Sequence, residues 1–306
     1  MPPKPAAPAA AAAPAEHERP LTVEEKRALF LKKLPELKAA GDAAAVKEIV
    51  EGMKTHEAIV QIQVIACRQL AGLAGMKDRA AAAEKRDLIR KVAGVEQILK
   101  ALGAHGASEE LHREAFSGLC HLTNSHNLKV VEKMGELGAI EPILAGMQAF
   151  MSDLELQKLA CLAVHNLAHV SHNANKIAAA GGIERVTTAM ELHLNLDVQL
   201  NGCGALQVLS ISADNRSRIV AAGGVERMVS AMIKFHDSVV VAELCCGALL
   251  NVGCATPQMK SKLVATLGVQ GVKAALHKVM EHPEAAANTK VHGKLILDGL
   301  ALNGGG

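Results

Sequence analysis

The sequence predicts an all-α protein built as a solenoid, in which a unit of three helices recurs about five to six times. Half of the residues are hydrophobic, yet the chain has no Trp, no Tyr and only four Phe, so its core must be built from Ala, Val, Leu, Ile and Met. This composition favours helices, because strands are enriched in aromatic and β-branched residues. The other two observations are a glycine that recurs at a nearly constant spacing and apolar stripes of helical periodicity in every copy.

The first part of the chain is expected to lie outside the solenoid. Residues 1–20 hold six of the ten prolines and eight alanines, a composition that predicts a disordered arm. Thr22 and Glu25 have the spacing of a capping box and predict the start of the first helix. Gly41 and Asp42 read as the end of that helix and the cap of the next, so residues 21–56 are predicted to form N-terminal capping helices.

The recurring glycine precedes an aliphatic residue or Ala and sets the repeat length. Its copies are separated by 44, 44, 42 and 44 residues, and they are Gly94, Gly138, Gly182, Gly224 and Gly268. Ankyrin and tetratricopeptide arrays repeat at about 33 and 34 residues, whereas armadillo and HEAT arrays have periods of about 40 to 47. The spacing therefore predicts one of the longer helical repeats.

Each copy carries the same apolar pattern. A stripe with i, i+3, i+4, i+7 spacing follows the glycine, as in Val95, Ile98, Leu99 and Leu102, and predicts a second helix with one buried face. A third helix follows, with stripes at Ala115, Leu119, Leu122; at Ala160, Val164, Leu167; at Gly202, Leu206, Leu209; and at Cys245, Leu249, Val252. A short first helix precedes each glycine and has an aliphatic residue five positions before it, at Ile89, Ile177, Ile219 and Leu263, whereas Met134 stands four positions before Gly138.

Four stretches then resemble the signature segments of armadillo repeats. They are residues 163–168, 179–184, 221–226 and 247–252. The resemblance covers roughly residues 57 to 300 and is strongest in the two central copies. It implies a right-handed superhelix of armadillo-type repeats over residues 57–302. The three glycines at the end of the sequence predict a flexible tail at residues 303–306. It also implies that the third helices line a concave groove that holds extended peptide segments of partner proteins.

The resemblance assigns candidate groove residues position by position. The family's third-helix Asn, which pairs with the backbone of a bound peptide, matches Asn166 and Asn251, while His121 and Val208 occupy that position in two other copies. Nuclear-import receptors of this family carry a Trp four residues earlier, and here that position holds Ser117, Leu162, Gly204 and Gly247. A receptor for nuclear-localisation signals is therefore disfavoured, because the lysine slots formed by Trp are absent.

Further groove residues are expected one or two turns further back along each third helix, facing solvent on the side opposite the buried stripe. These are Glu114, Lys158, Asn201 and Glu243. The competing interpretation is a helix face that is merely solvated. The inner surface of a solenoid is its usual binding surface, and the mixture of signs predicts a polar or weakly charged ligand segment.

Two residue clusters suggest a different chemistry. His165 and His169 have the i, i+4 spacing that chelates Zn²⁺, with His172 nearby, but no carboxylate or cysteine lies in phase to complete a site. The simpler interpretation is surface histidines near a helix C-terminus, which also suits His105, His193, His236 and His277. Cys245 and Cys246 read as small core residues, because Cys245 lies on a buried stripe.

The remaining composition argues against several classes of protein. Lys and Arg total 33 against 31 for Asp and Glu, so the net charge of +2 does not indicate a nucleic-acid or membrane binder. No nucleotide-binding or nucleophile-elbow motif occurs, so an enzyme is not predicted, and no cofactor or metal is called for. Seven cysteines without a CxxC pair indicate a reduced compartment, and the expected location is cytoplasmic, with a nuclear or ciliary location left open.

The sequence thus favours a non-enzymatic interaction scaffold or adaptor. Its predicted partner is a protein or an extended peptide segment along the groove, with no nucleic acid, membrane or small-molecule cofactor involved. The alternative is a structural component of a large cytoskeletal or ciliary assembly, held through the convex face and the N-terminal arm.

Overall fold

The structure of the 306-residue chain is a computed structural model that describes residues 21–40, 42–123, 127–253, 265 and 272–301. Short connections separate the helices, and no strand occurs among these residues. The predicted arm at residues 1–20 and the predicted tail at residues 303–306 lie outside the described residues.

The helices follow one another in the predicted order. The first nine are α1 (Val23–Ala40), α2 (Ala43–Thr55), α3 (Val60–Ala74), α4 (Arg79–Lys91), α5 (Gly94–Ala104), α6 (Glu109–Thr123), α7 (Leu128–Glu136), α8 (Ile140–Ala149) and α9 (Leu154–Ala168). The others are α10 (Ser171–Ala179), α11 (Gly182–Leu192), α12 (Leu196–Leu209), α13 (Ala213–Ala221), α14 (Gly224–Lys234), α15 (Val239–Gly253), α16 (Val272–Glu281) and α17 (Ala287–Ala301).

From α4 to α15 the helices form four consecutive three-helix units. The most extensive packing joins the third helices of neighbouring units, so that α3, α6, α9, α12, α15 and α17 lie side by side in chain order. Second helices of neighbouring units, such as α8 and α11, also pack on one another. The prediction of an all-α solenoid is confirmed.

The predicted third-helix stripes form the core. All twelve of their residues are buried in α6, α9, α12 and α15. Cys245 is fully buried as expected, and the described cysteines are all free thiols in the interior. Burial alone raises the pKa of the Cys120 thiol to about 12, so this sulfur stays protonated and behaves as a small apolar group.

The repeat register differs by one residue from the one that the glycine marker predicts. A residue with positive φ separates the first and second helices of each unit, at Ala93, Gly138, Gly181 and Gly223, which are 45, 43 and 42 residues apart. Gly138 is therefore equivalent to the first glycine of the Gly181–Gly182 pair, whereas Gly94 is equivalent to the second. The next residue after Gly138, Ala139, takes the place of the second glycine.

A close contact explains why an aliphatic residue stands five positions before the glycine. A Cβ atom on the glycine would clash with Cγ2 of that isoleucine, at 2.6 Å for Gly94 and Ile89, 2.5 Å for Gly182 and Ile177, and 2.7 Å for Gly224 and Ile219. In the corrected register Met134 also stands five positions before its partner, Ala139. The predicted Leu263 and Gly268 lie outside the described residues.

A buried glutamine joins the second and third helices in three repeats, and the sequence pattern did not reveal it. Its Nε2 donates to two carbonyl oxygens at the end of the second helix, which have no partner within that helix. The pairs are Gln63 with Met53 (3.0 Å) and His56 (3.0 Å), Gln157 with Met147 (2.9 Å) and Phe150 (3.0 Å), and Gln199 with Met190 (2.6 Å) and His193 (3.0 Å).

Histidines after the second helices link neighbouring repeats. The Nε2 atom of His105 lies 2.7 Å from the carbonyl oxygen of Glu57, and that of His193 lies 2.7 Å from the carbonyl oxygen of Met151. Both carbonyls belong to the preceding repeat. The predicted interaction with the histidine's own helix C-terminus is wrong for these two residues, because the stacked repeats bring a neighbouring loop closer.

Helix α17 differs from the earlier third helices in carrying a charged residue at a position of the buried side. A Cβ atom on Gly293 would lie 2.9 Å from Cγ of Met280, and one on Gly202 would lie 2.6 Å from Cγ of Met190, which aligns α17 with α12. In this alignment the exposed Lys294 stands where α12 has the fully buried Cys203. A charged residue at this position makes that side of α17 polar, as is usual for a unit that no further repeat covers. None of the described helices is long and apolar enough to cross a bilayer.

Candidate binding groove

The third helices share an open side, which we call the third-helix face: the side of α3, α6, α9, α12, α15 and α17 that is turned away from the first and second helices. In α9 the buried side carries Ala160, Val164 and Leu167, whereas Lys158 and Asn166 are half-buried on the open side. The helical period of 3.6 residues separates the two sides. The predicted groove residues are all half-buried in their third helices.

The two candidate backbone clamps make the same contact with the preceding repeat. Asn166 donates from Nδ2 to Oγ1 of Thr123 at 3.1 Å, and Asn251 donates from Nδ2 to Oγ of Ser210 at 3.0 Å. Both asparagines are half-buried, and both hydroxyl groups are in residues that are buried. Each amide is therefore held in one orientation by a hydroxyl group of the preceding repeat.

This contact occurs at alternate junctions. At the junction of α3 and α6, His121 takes the place of the asparagine and Ala74 takes the place of the hydroxyl residue. At the junction of α9 and α12, these two places are taken by Val208 and Ala168. A buried hydroxyl that faced Val208 would lose a hydrogen-bond partner, which is costly in the interior. Asparagine and hydroxyl residue thus occur together, although the sequence places them 43 and 41 residues apart.

His121 occupies the clamp position of α6 and is half-buried. Its ring packs against Gly75, where a Cβ atom would lie 2.6 Å from Nε2. Burial, and secondarily the positive charge of Arg86, lower the pKa of His121. The imidazole is therefore neutral at neutral pH and offers one donor and one acceptor without a charge.

Ion pairs cross the junctions of the N-terminal half of this face. Arg68 on α3 pairs with Glu110 and Glu114 on α6, both at 2.8 Å. Lys158 on α9 pairs with Asp197 on α12 at 3.0 Å and with Glu155 at 3.2 Å. Both cations are already satisfied by neighbouring carboxylates, so they do not present a strong positive surface to a ligand.

The four charged or polar candidates occupy two adjacent helix positions. Glu114 and Asn201 stand one residue before the buried stripe, and Lys158 and Glu243 stand two residues before it. Asn201 donates from Nδ2 to the carbonyl oxygen of Lys158 at 3.3 Å, so these two candidates meet. Glu243 makes no ion pair with any residue that the structure describes.

Two residues that the sequence pattern missed cover the positions where import receptors carry Trp. The ring of His165 lies over Gly204, where a Cβ atom would be 2.8 Å from Cε1. The amide of Gln207 lies over Gly247, where a Cβ atom would be 2.6 Å from Nε2. Each glycine allows a large side chain of the preceding repeat to lie flat on the helix. The presence of Gly where the import receptors have Trp was the sequence signal that another side chain could fill this space.

His165 on α9 is more buried than its neighbour His169, which is exposed just after the helix. The rings of His165 and His169 are 5.2 Å apart. Burial, with a smaller effect of His169, lowers the pKa of His165 to about 4, so its ring is neutral at neutral pH. Among the residues that are described, no group of three His, Cys, Asp or Glu side chains is arranged to hold a metal ion, and the zinc hypothesis gains no support from the geometry.

Comparisons with solved structures identify similar architectures. A designed armadillo repeat protein has a TM-score of 0.66 at 19% identity, over 83% of this chain and 99% of that one. A second designed armadillo repeat protein, in complex with the peptide (KR)4, has a TM-score of 0.63 at 19% identity, over 83% of this chain and 99% of that one.

A natural protein is similar over a longer stretch. A structure that concerns the interaction between cadherin and beta-catenin has a TM-score of 0.65 at 14% identity, over 93% of this chain and 62% of that one. No protein-family model and no curated protein matches the sequence. At these identities the likeness concerns the backbone architecture, and it agrees with the repeats described above. The chain has the armadillo-type repeat fold.

Proposed function

We propose that the chain is a non-enzymatic interaction scaffold that binds an extended segment of a partner protein along the third-helix face. Asn166 and Asn251 would pair with the backbone of that segment. His121, Glu114, Lys158, Asn201 and Glu243 would determine which side chains are accepted. The proposed scaffold needs no cofactor or metal, and it would act in the cytoplasm.

The observation that carries this proposal is the anchored state of the two asparagines. A primary amide has two N–H donors and a carbonyl acceptor, and the bond to Thr123 or Ser210 uses one donor. Within the described residues nothing else binds these two amides, so the second donor and the carbonyl oxygen can pair with a ligand backbone. Because the anchor holds the amide in place before binding, less conformational entropy is lost when a ligand binds.

The comparisons support a peptide ligand in general terms. A designed protein of the same fold binds the peptide (KR)4. On the third-helix face of this chain, Arg68 and Lys158 are paired with carboxylates, and two of the positions where import receptors carry Trp hold glycine. A strongly charged ligand is therefore not expected.

The test compares partner capture from native lysate by the wild-type chain and by the double variant Asn166→Ala, Asn251→Ala. The matched control is Asn175→Ala, since Asn175 is exposed on the first helix α10. We expect proteins captured by the wild type and by the control to be absent with the double variant, at equal helical content by circular dichroism. An identical set of captured proteins for all three chains would contradict the groove proposal.

One observation favours the alternative, a structural component held through another surface. Leu192, Leu194 and Leu196 are 54%, 60% and 43% exposed at the junction of α11 and α12, outside the third-helix face. Contiguous exposed apolar side chains often mark contact sites. Deleting residues 1–20 or changing Leu194→Ser should abolish incorporation into an assembly, whereas a groove ligand should still bind both variants.

A further inference from the structure

The third-helix face changes from charged to apolar along the solenoid. The comparison uses three equivalent helix positions, which stand five, two and one residues before the buried stripe. Helix α6 has Glu110, Arg113 and Glu114 there, α9 has Glu155, Lys158 and Leu159, α12 has Asp197, Leu200 and Asn201, and α15 has Val240, Glu243 and Leu244. In α6, α9 and α12 the first of these positions holds an acidic residue that takes part in an ion pair. In α15 the same position holds Val240.

Exposed apolar side chains continue from α15 onto α17. Val240 is 53% exposed, and Leu244 is half-buried one turn further along α15. On α17, Val291 is 56% exposed and Leu295 is 54% exposed, one turn apart. Since α15 packs directly on α17 and on α12, these side chains form one surface, which we call the apolar end of the face.

Glu243 is the charged group in the middle of this surface. The acidic groups of the N-terminal half each have a cation beside them, as Glu114 has Arg68 and Asp197 has Lys158. Glu243 is half-buried and makes no ion pair within the described part of the chain. Its carboxylate is near enough to contribute to the raised pKa of Cys246, whose main cause is burial. A partly desolvated carboxylate without a counter-ion favours a cationic ligand group.

We propose that the apolar end of the face binds a segment of a partner protein that has aliphatic side chains around a single Lys or Arg. The aliphatic side chains pack on Val240, Leu244, Val291 and Leu295, and the basic group pairs with Glu243. This inference rests on the proposed groove function, which it extends by naming the chemistry of the bound segment. The charged end of the face, where the cations are already paired, contributes less selectivity.

Neither a terminal cap nor a second copy of the chain accounts for the apolar end as well as a peptide segment does. A capping unit would cover the side of α17 that follows α15 in the stack, and that side is already polar through residues such as Lys294. A second copy of the chain would need about 800 Å² of buried surface on each partner for a stable dimer, far more than a few exposed side chains provide. A short segment of another protein matches the size and the charge of the surface.

The probe for the experiment is a library of random 12-residue peptides displayed on phage and selected on the full chain. We expect the selected peptides to be rich in Leu, Ile and Val and to carry one Lys or Arg. The double variant Val240→Ser, Val291→Ser should bind these peptides at least about tenfold more weakly, a change typical of losing a small apolar contact surface. The control Leu128→Ser, which removes an equally exposed leucine from the first helix α7, should bind them unchanged.

A charge reversal tests the role of Glu243 without depending on a loss of binding. Selection on Glu243→Lys should return aliphatic peptides that carry one Asp or Glu in place of the basic residue. Because this is a gained specificity, it cannot result from misfolding. Glu243→Gln should bind the original peptides more weakly, and selection on it should return peptides with no preference for a basic or an acidic residue.

The outcomes separate this inference from the groove proposal. Peptides that are lost with Asn166→Ala, Asn251→Ala but retained with the Val240, Val291 and Glu243 variants would overturn the inference and keep the groove. Peptides that are retained with every variant would overturn both. Selected peptides without aliphatic enrichment, or no enrichment at all on the wild type, would also overturn the inference.

Discussion

The side-chain amide of Asn166 donates a hydrogen bond to the hydroxyl of Thr123, 3.1 Å away on the neighbouring third helix. The same relationship joins Asn251 to Ser210. The residues proposed to bind a ligand are therefore also part of the junctions between repeats. The structure thus assigns to repeat stacking the same side chains that the proposal assigns to ligand binding.

A double-mutant cycle should detect this junction bond. Asn166→Ala and Thr123→Val should each lower the free energy of unfolding, and the coupling between them should be about 0.5 to 1.5 kcal/mol. The measurement is urea denaturation of the two single variants and the double variant. Additive effects would indicate that the two side chains do not interact in solution.

The buried glutamines should matter more for stability than their exposed neighbours. Gln63→Leu leaves the Met53 carbonyl oxygen without its donor and removes one of the two donors of the His56 carbonyl oxygen, which keeps the N–H of Ile59 at 3.0 Å; the change should cost about 1 to 3 kcal/mol. Gln61→Leu is the control, because Gln61 is exposed in the same helix and its change should stay within about 0.5 kcal/mol. Equal denaturation midpoints for the two variants would argue against the bridging role.

Ala93 is the one residue other than glycine with a positive φ among the described residues, at 60°. An L-residue in this conformation costs roughly 1 to 2 kcal/mol, which exceeds the entropic cost of glycine in the unfolded chain. We therefore expect Ala93→Gly to raise the free energy of unfolding by about 0.5 kcal/mol. The reverse change at the equivalent position, Gly223→Ala, should lower it by about 1 kcal/mol, and thermal denaturation of both variants checks the two signs.

The low pKa of His165 predicts a loss of stability in weak acid. Between its ordinary value of 6.5 and the folded value of about 4, the unfolded chain binds a proton at this residue and the folded chain does not. The free energy of unfolding should therefore fall by about 1 to 2 kcal/mol from pH 7 to pH 5 on account of this residue. His112 and His121, whose pKa values are also lowered, act in the same direction.

The control for this effect is His165→Gln, which copies the arrangement of Gln207 over Gly247. The variant should keep Gly204 covered and should lose less stability than the wild type between the two pH values. Urea denaturation at pH 7 and pH 5 gives both slopes. Identical slopes would mean that other groups cause the pH dependence.

The repeat architecture predicts local rather than global opening. Leu206 is fully buried in α12, so Leu206→Ala should cost about 2 to 5 kcal/mol. Because each repeat touches only its neighbours, amide protection should fall in the middle repeats and persist at a distance from them. Hydrogen exchange followed along the chain tests this, and a uniform loss of protection would contradict it.

Helical periodicity made much of the fold predictable. The stripe of Ala160, Val164 and Leu167 lies on one side of a helix wherever that helix packs, so its burial follows from local spacing alone. The register of the loops was less accessible, because Gly138 and Gly182 look alike in sequence although only the first has a positive φ. The residue that adopts a positive φ in a turn is determined by where the preceding helix ends and the next helix begins.

The candidate site was only partly predictable for the same reason. Asn166, Asn251 and Lys158 could be placed on the open side of their helices from the repeat pattern. Their partners Thr123, Ser210 and Asp197 could not, because each contact joins residues about forty positions apart that meet only when repeats stack.

By itself the sequence determined the helical class, the three-helix unit and the buried side of each third helix, since these depend on composition and on the period of a helix. Only the tertiary structure decided which charges are neutralised, that His165 is held neutral over Gly204, and that Glu243 makes no ion pair with any other described residue. The physical reason is that electrostatics and burial depend on distances between neighbouring repeats, and those distances arise from packing rather than from the order of residues in the chain.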